Sequence, residues 1–177
     1  MDRMRKALLF SFIIAGGCAK GIAGDLININ VQGRVTATPC TVDAGSVSQT
    51  VDFGQILGTN LVTAGAASDW KSFQVKVMNC PAATVTAIAT FSGIPDSSDA
   101  ALYSNGSSPG DATNIAIQVA EDADKSSIKS NGTSMSINID PVSHAAIFPL
   151  AGRVITPTGD AGPGRINSVV LMTFTYQ

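Results

Sequence analysis

The chain ends in RINSVVLMTFTYQ (165–177), whose last eight residues alternate strictly. Val170, Met172, Phe174 and Tyr176 share one parity; Val169, Leu171, Thr173 and Thr175 take the other. A period of two marks a β-strand with one face turned to a core. The first face is apolar up to the penultimate residue. DLININVQGRVTATPC (25–40) alternates in the same way near the opposite end: Ile27, Ile29, Val31, Val35 and Ala37 fall on one side. Asn28, Asn30, Gln32, Arg34, Thr36 and Thr38 fall on the other. The chain thus begins with a strand that has no hairpin partner before it and closes with one that has no follower.

Between these ends everything reads as strands and turns. Apolar alternation predicts strands at 46–56, 70–80, 83–93, 113–121, 133–139, 144–155 and 165–177, with a break or bulge near Gly54. Pro149 lacks a ladder donor, so the strand holding it is expected at an edge or a bulge. Asn131-Gly132 is a hairpin-turn signal. LVTAGAAS (61–68) could hold a single helical turn at most. Many short strands with turn punctuation predict one all-β, antiparallel sandwich domain.

The first residues are expected to lie outside that fold. MDRMRK is a basic start, ALLFSFIIAGGCA an apolar run too short to span a bilayer, and small residues follow, which is the layout of a secretory signal. Cleavage is expected after Ala23, with Gly24 and Ala19 as alternatives; a lipoprotein signal using Cys18 is the rival reading. Arg3, Arg5, Lys6 and Lys20 leave with Asp2, so seven basic and twelve acidic residues remain, a formal charge of −5. With no basic run left, nucleic acid and anionic membrane surfaces are excluded as partners. No remaining stretch is apolar enough for membrane insertion. Cys40 and Cys80 are left, and two cysteines in an exported chain most simply form one disulfide. Closing a loop of about 40 residues contributes about 4 kcal/mol in the chain-entropy view.

No catalytic constellation appears. The single histidine, His144, adjoins Ser143 and lies near Asp140, but strand neighbours point to opposite faces, so a triad does not assemble there. AEDADK (120–125) lacks the ligand rhythm of a calcium loop and reads as a solvated hairpin tip. GDAGPG (159–164) leads into a strand, not from strand to helix, and is no nucleotide loop. Trp70 opens a strand and reads as a core plug, with an exposed contact as the other reading. The chain is not expected to be an enzyme and implies no cofactor or metal.

Over its whole mature length the chain resembles the pilin subunits of chaperone–usher fimbriae. The C-terminal pattern carries the resemblance: Tyr176 next to last, Phe174, Met172 and Val170 at alternate places before it, and Gly164 fourteenth from the end. GRVTATPCTVDAGSV with VDFGQ around the first core cysteine, and AGAASDWKSFQVKVMNCP around the second, match the type 1 pattern. The resemblance implies an incomplete immunoglobulin-like sandwich lacking its last strand, with a groove beside the C-terminal strand. A periplasmic pilus chaperone fills that groove first; at the outer-membrane usher, the N-terminal extension of a neighbouring subunit replaces it. It therefore divides the chain into a signal peptide (1–23), a donor-strand extension (24–37) and a pilin domain (38–177). Ile27, Ile29, Val31, Gly33 and Val35 would enter a neighbour's groove, with Gly33 over a pocket filled by the acceptor's own side chain. Burying four such aliphatic residues is worth about 6–12 kcal/mol before ordering costs. The short extension most resembles that of a minor tip adaptor, which would contact other fimbrial subunits including the tip adhesin. A major shaft pilin is the alternative within the family, and a secreted carbohydrate-binding sandwich the alternative from another class. The destination implied is an extracellular fimbrium, reached through the periplasm.

Overall fold

The computed structural model describes Gln32 and residues 39–177. The expected signal segment and the alternating residues Ile27, Ile29, Val31, Gly33 and Val35 lie outside the described residues. Eight strands run through the rest: β1 (Thr41–Val42), β2 (Lys71–Met78), β3 (Thr86–Gly93), β4 (Tyr103–Ser104), β5 (Ala116–Glu121), β6 (Ser134–Asn138), β7 (Ala146–Ile155) and β8 (Val170–Tyr176). They form two antiparallel sheets, a larger one ordered β1-β2-β7-β5-β4 and a smaller one ordered β6-β3-β8. Residues of one parity on each strand fill the space between them, among them Val75 and Val77 of β2, Ala87, Ala89 and Phe91 of β3, and Phe148 and Leu150 of β7. The alternation expected from the sequence is therefore the one that builds the core.

Cys40 and Cys80 form a disulfide that joins the approach to β1 to the end of β2. β1 pairs with β2 through only two residues, Thr41 with Met78 and Val42 with Val77. So short a ladder gives little cohesion alone, and the covalent link holds the start of the domain against its sheet.

The strand expected at 46–56 is not there. Asp43 accepts a hydrogen bond from the Gly45 N–H at 3.0 Å and caps a single helical turn, α1 (Ala44–Val47). Beyond α1 the chain has no ladder partner among the described residues, and Gly54 adopts φ 65°, a left-handed conformation that interrupts any strand. Phe53 and Ile56, the apolar residues that suggested a strand, still pack on the core. A 3-10 turn over Gly58–Leu61 follows and ends on the first residue of LVTAGAAS.

Pro149 sits in β7, the middle strand of the larger sheet, and not at an edge or bulge. Its register explains the tolerance. Even-numbered β7 residues bond toward β2, so the donor Pro149 lacks would have faced β5, where the ladder has just ended at Glu121–Leu150. The Asp122 N–H still reaches the Pro149 carbonyl at 3.1 Å, and the Asp122 carbonyl takes Lys125 Nζ at 2.6 Å instead. Nothing polar is stranded.

Asn131-Gly132 forms a turn in which Thr133 N–H bonds to the Ser130 carbonyl at 3.1 Å and Gly132 takes φ 84°. That turn leads into β6 of the smaller sheet, so it does not close a hairpin with β5, which belongs to the larger one. Trp70 is half-buried on the outer side of the larger sheet and is no core plug. Arg153 stacks over its ring 4.5 Å from the centroid, with Lys125 at 5.7 Å.

Tyr103 of β4 is fully buried, and its hydroxyl has no hydrogen-bond partner among the described residues. Burial pushes its ionisation up to about 12 from an ordinary 10. The folded state thus holds this proton more tightly than the unfolded chain. The resulting stability is complete below pH 10 and is lost as pH rises from 10 toward 12. Tyr103→Phe should raise stability by about 1 kcal/mol at neutral pH, because it removes an unpaired buried hydroxyl. It should also flatten that alkaline limb. Urea midpoints at pH 7 and 11 for both proteins test this; a lower midpoint at pH 7 in the variant would mean the hydroxyl is satisfied.

Candidate functional site: a groove along the last strand

Thr86 and Gln177 exchange both backbone hydrogen bonds, each 2.9 Å. In an antiparallel ladder bonded pairs recur at every second residue, so Thr175, Thr173 and Leu171 also bond toward β3. Val170, Met172, Phe174 and Tyr176 therefore turn their N–H and C=O groups the other way, to an edge without a ladder partner among the described residues. The side chains of those same four residues point inward and pack, half-buried, against the core. A row of unpaired backbone groups and a row of apolar side chains coincide on one strand edge.

Beside this edge the two sheets do not close on each other. A groove of about 1660 Å³ runs between them. Phe91, Met172 and Phe174 of the smaller sheet form one wall; Phe73, Ile117 and Leu150 of the larger sheet form the other. Phe174 meets the fully buried Phe148 ring with centroids 5.4 Å apart. Burial raises the Tyr176 phenol above its ordinary range, as expected for a ring set among apolar neighbours. The segment from α1 to Gly58 borders the groove opposite β8, with Val51, Phe53 and Ile56 among its lining residues.

The end of the groove near Val170 is held by a loop the sequence did not single out for that role. Asn105 Nδ2 donates to the carbonyls of Ala112 and Arg165 at 2.9 and 3.1 Å, and its Oδ1 accepts from the Asn167 N–H at 2.7 Å. Asp111 accepts from the Ser108 N–H at 2.8 Å and from Arg165 Nε at 3.3 Å. These brackets fix the approach to β8. In the sequence Asn105-Gly106 reads only as part of a long loop, with no sign of these bonds.

Gly164 belongs to the same bracket. A β-carbon there would stand 2.4 Å from the Ala112 nitrogen and 2.5 Å from the Asp111 carbonyl carbon. Backbone, not a flexible side-chain tip, occupies the space, so only glycine lets the two segments touch. Gly164→Ala should cost about 2–4 kcal/mol by forcing these backbones apart. Thermal unfolding checks it; a loss under 0.5 kcal/mol on the same scale would show that the approach relaxes freely.

Among the described residues no group of three or more His, Cys, Asp or Glu side chains could hold a metal. His144 lies in a turn, at φ 50°, and not on a strand as the sequence suggested. The Asp140 carboxylate beside it accepts from the Ser143 and Val142 N–H groups at 2.6 and 3.0 Å, and these bonds hold it below the usual carboxylate range. The trio is thus adjacent, but as a turn whose carboxylate is committed to backbone. Around AEDADK, Lys129 pairs with Glu121 at 2.6 Å, Lys125 pairs with Asp122, and Ser126 binds Asp124. Each carboxylate has its own partner, as a hairpin tip requires.

The family model described as Fimbrial protein matches residues 29–177. The chain belongs to the fimbrial protein family. It is 34% identical over 99% of both chains to Protein FimG of Escherichia coli K12, and 33% identical over the full length of both to the fimbrial-like protein YdeR of the same strain. The type-1 fimbrial protein A chain of Escherichia coli is 30% identical, covering 84% of this chain and 82% of that one. Among solved structures, the P pilus rod subunit PapA superposes with a TM-score of 0.64 at 18% identity, over 79% of this chain and all of that one. That likeness supports the fold: an immunoglobulin-like, all-β pilin sandwich.

Proposed function

We propose that the chain is a structural subunit of a chaperone–usher fimbria that polymerises by donor-strand exchange, most specifically a minor tip adaptor. The observation that carries this reading is the coincidence on β8 of an open backbone edge and a half-buried apolar row beside a groove. A strand added there gains main-chain bonds along its length and places alternate side chains in the groove. In this reading residues 1–23 are removed on export, residues 24–37 form the donor strand, and residues 38–177 form the acceptor. A periplasmic chaperone holds the groove until the outer-membrane usher delivers a neighbour, and Val170, Met172, Phe174 and Tyr176 are what both recognise. Full-length similarity to FimG supports the adaptor role, as do the nine residues, 24–32, that would precede Gly33 once residues 1–23 are removed. Similarity to the type-1 A chain favours a shaft pilin as the second reading. Immunogold labelling of intact fimbriae separates them: label confined to tips supports the adaptor, label along the shaft the alternative, and no label on fimbriae overturns both.

The donor register is testable apart from the groove. Ile29→Asp puts a charge on the apolar parity of the donor but leaves residues 38–177 intact, so the protein should still accumulate with chaperone while its incorporation falls at least tenfold. Asn30→Asp, on the outward parity, should be nearly silent. Quantifying each variant in purified fimbriae decides it, and the reverse pattern would move the register by one residue.

A further inference from the structure

Both ends of the sandwich carry exposed apolar side chains that the core does not use. Gly93 and Val170 mark one end of the β3–β8 ladder, and Thr86 and Gln177 mark the other. At the first end Ile94, Val169 and Leu171 are 76%, 67% and 62% exposed. Ser92 faces Leu171 in the ladder, which brings Ile94 opposite Val169, and all three share the outward parity. Val169 and Leu171 also border the groove, so the patch continues from its lip. At the second end Val142 is 88% exposed on the turn between β6 and β7. That turn is tied to the disulfide, since the Cys80 N–H donates to the His144 carbonyl at 3.0 Å. The chain preceding β1 joins the domain at this same end, because Cys40 is bonded to Cys80.

We propose that Ile94, Val169 and Leu171 form a docking face for the Val142 end of the subunit whose strand fills the groove. The inference rests on the strand-exchange reading and adds a body-to-body contact to it. The last strand of an immunoglobulin-like sandwich runs antiparallel to its neighbour, so the C-terminal end of an inserted strand lies beside Val170. Only residues 38–39 then separate that strand from the donor's Cys40, a reach of about 7 Å at full extension. So short a tether delivers the donor's Val142 end to the acceptor's Ile94 end. The contact is heterologous, head to tail, and leaves the outer end of each subunit free for the next one. Burying these apolar side chains against each other restrains the joint relative to one held by the tether alone.

Because the groove should accept this chain's own strand, the test uses dimers of the mature chain, assembled from its chaperone complex and isolated as SDS-resistant species. Ile94→Cys combined with Val142→Cys should give an intersubunit disulfide on mild oxidation, seen as a dimer that survives boiling in SDS without reductant. Each single variant should give none. The double variant Ile94→Ser, Val142→Ser should still form SDS-resistant dimers, with a radius of gyration by X-ray scattering larger than that of the parent. SDS-resistant dimers that show neither crosslink nor change in radius would overturn the docking face and leave strand exchange standing. Absence of any SDS-resistant dimer would overturn the strand-exchange reading and the docking face with it.

Discussion

A copy of residues 25–37 appended through a turn linker to Gln177 should raise the melting temperature of the mature chain by about 10–20 °C. The added strand would lie against the open edge of β8, pair with the backbone groups of Val170, Met172, Phe174 and Tyr176, and cover the groove. Burying Ile27, Ile29, Val31 and Val35 supplies about 6–12 kcal/mol gross, of which roughly half survives the ordering of the strand. At about 2–4 °C per kcal/mol for a domain of this size, the shift is large and easily read by circular dichroism. The parent, with an uncovered apolar edge, should aggregate at concentrations where the extended version stays monomeric. Equal melting temperatures for the two would mean that the groove is not a vacant strand position.

Phe174→Asp should abolish co-purification with the cognate chaperone and drop periplasmic accumulation at least tenfold. The Phe174 ring packs 5.4 Å from that of Phe148, inside a wall of the groove. A carboxylate there is either left unpaired in an apolar setting, at several kcal/mol, or pulls β8 out of its place. Thr175→Asp is the control, since its side chain lies on the outward parity of the same strand. Immunoblots of periplasmic extract and pull-down with tagged chaperone report both variants. Normal recovery of Phe174→Asp would show that this face is not what the chaperone covers.

Strand parity was legible wherever a strand has one face in the core. The alternating apolar residues within the segments expected at 70–80, 83–93 and 165–177 pack on the core over β2, β3 and β8, and Val85, just ahead of β3, is exposed. The C-terminal row of the groove was legible for the same reason. Alternation failed at 46–56, where Val47, Val51, Phe53 and Ile56 repeat like a strand but Asp43 caps a helical turn and no neighbouring strand offers a ladder. Periodicity reports which face is apolar, and pairing is a property of the whole sheet. Pro149 misled because the rule against proline in a central strand assumes a partner on both sides, and β5 ends one residue short of it. Trp70 misled because an aromatic body can be covered by Arg153 and Lys125 as well as by a core. The bonds from Asn105 and Asp111 to the Arg165–Asn167 stretch, which close the end of the groove, join segments more than fifty residues apart. Local pattern carries no signal for such contacts.

One consequence of β8 concerns motion along the groove. The same four residues aim both their side chains and their bonding groups at an occupant, so the two kinds of contact are in phase. A guest strand displaced by a single residue keeps only one of them: turned over to keep its bonds it sets polar side chains on the apolar wall, and left unturned it loses the bonds. Displaced by two, it recovers both. The energy along the groove is therefore corrugated with a period of about 6.8 Å, two residues of extended chain, and has no shallow path between wells. A strand cannot creep through such a track. In the strand-exchange reading, an occupant would advance in whole two-residue steps or leave from one end.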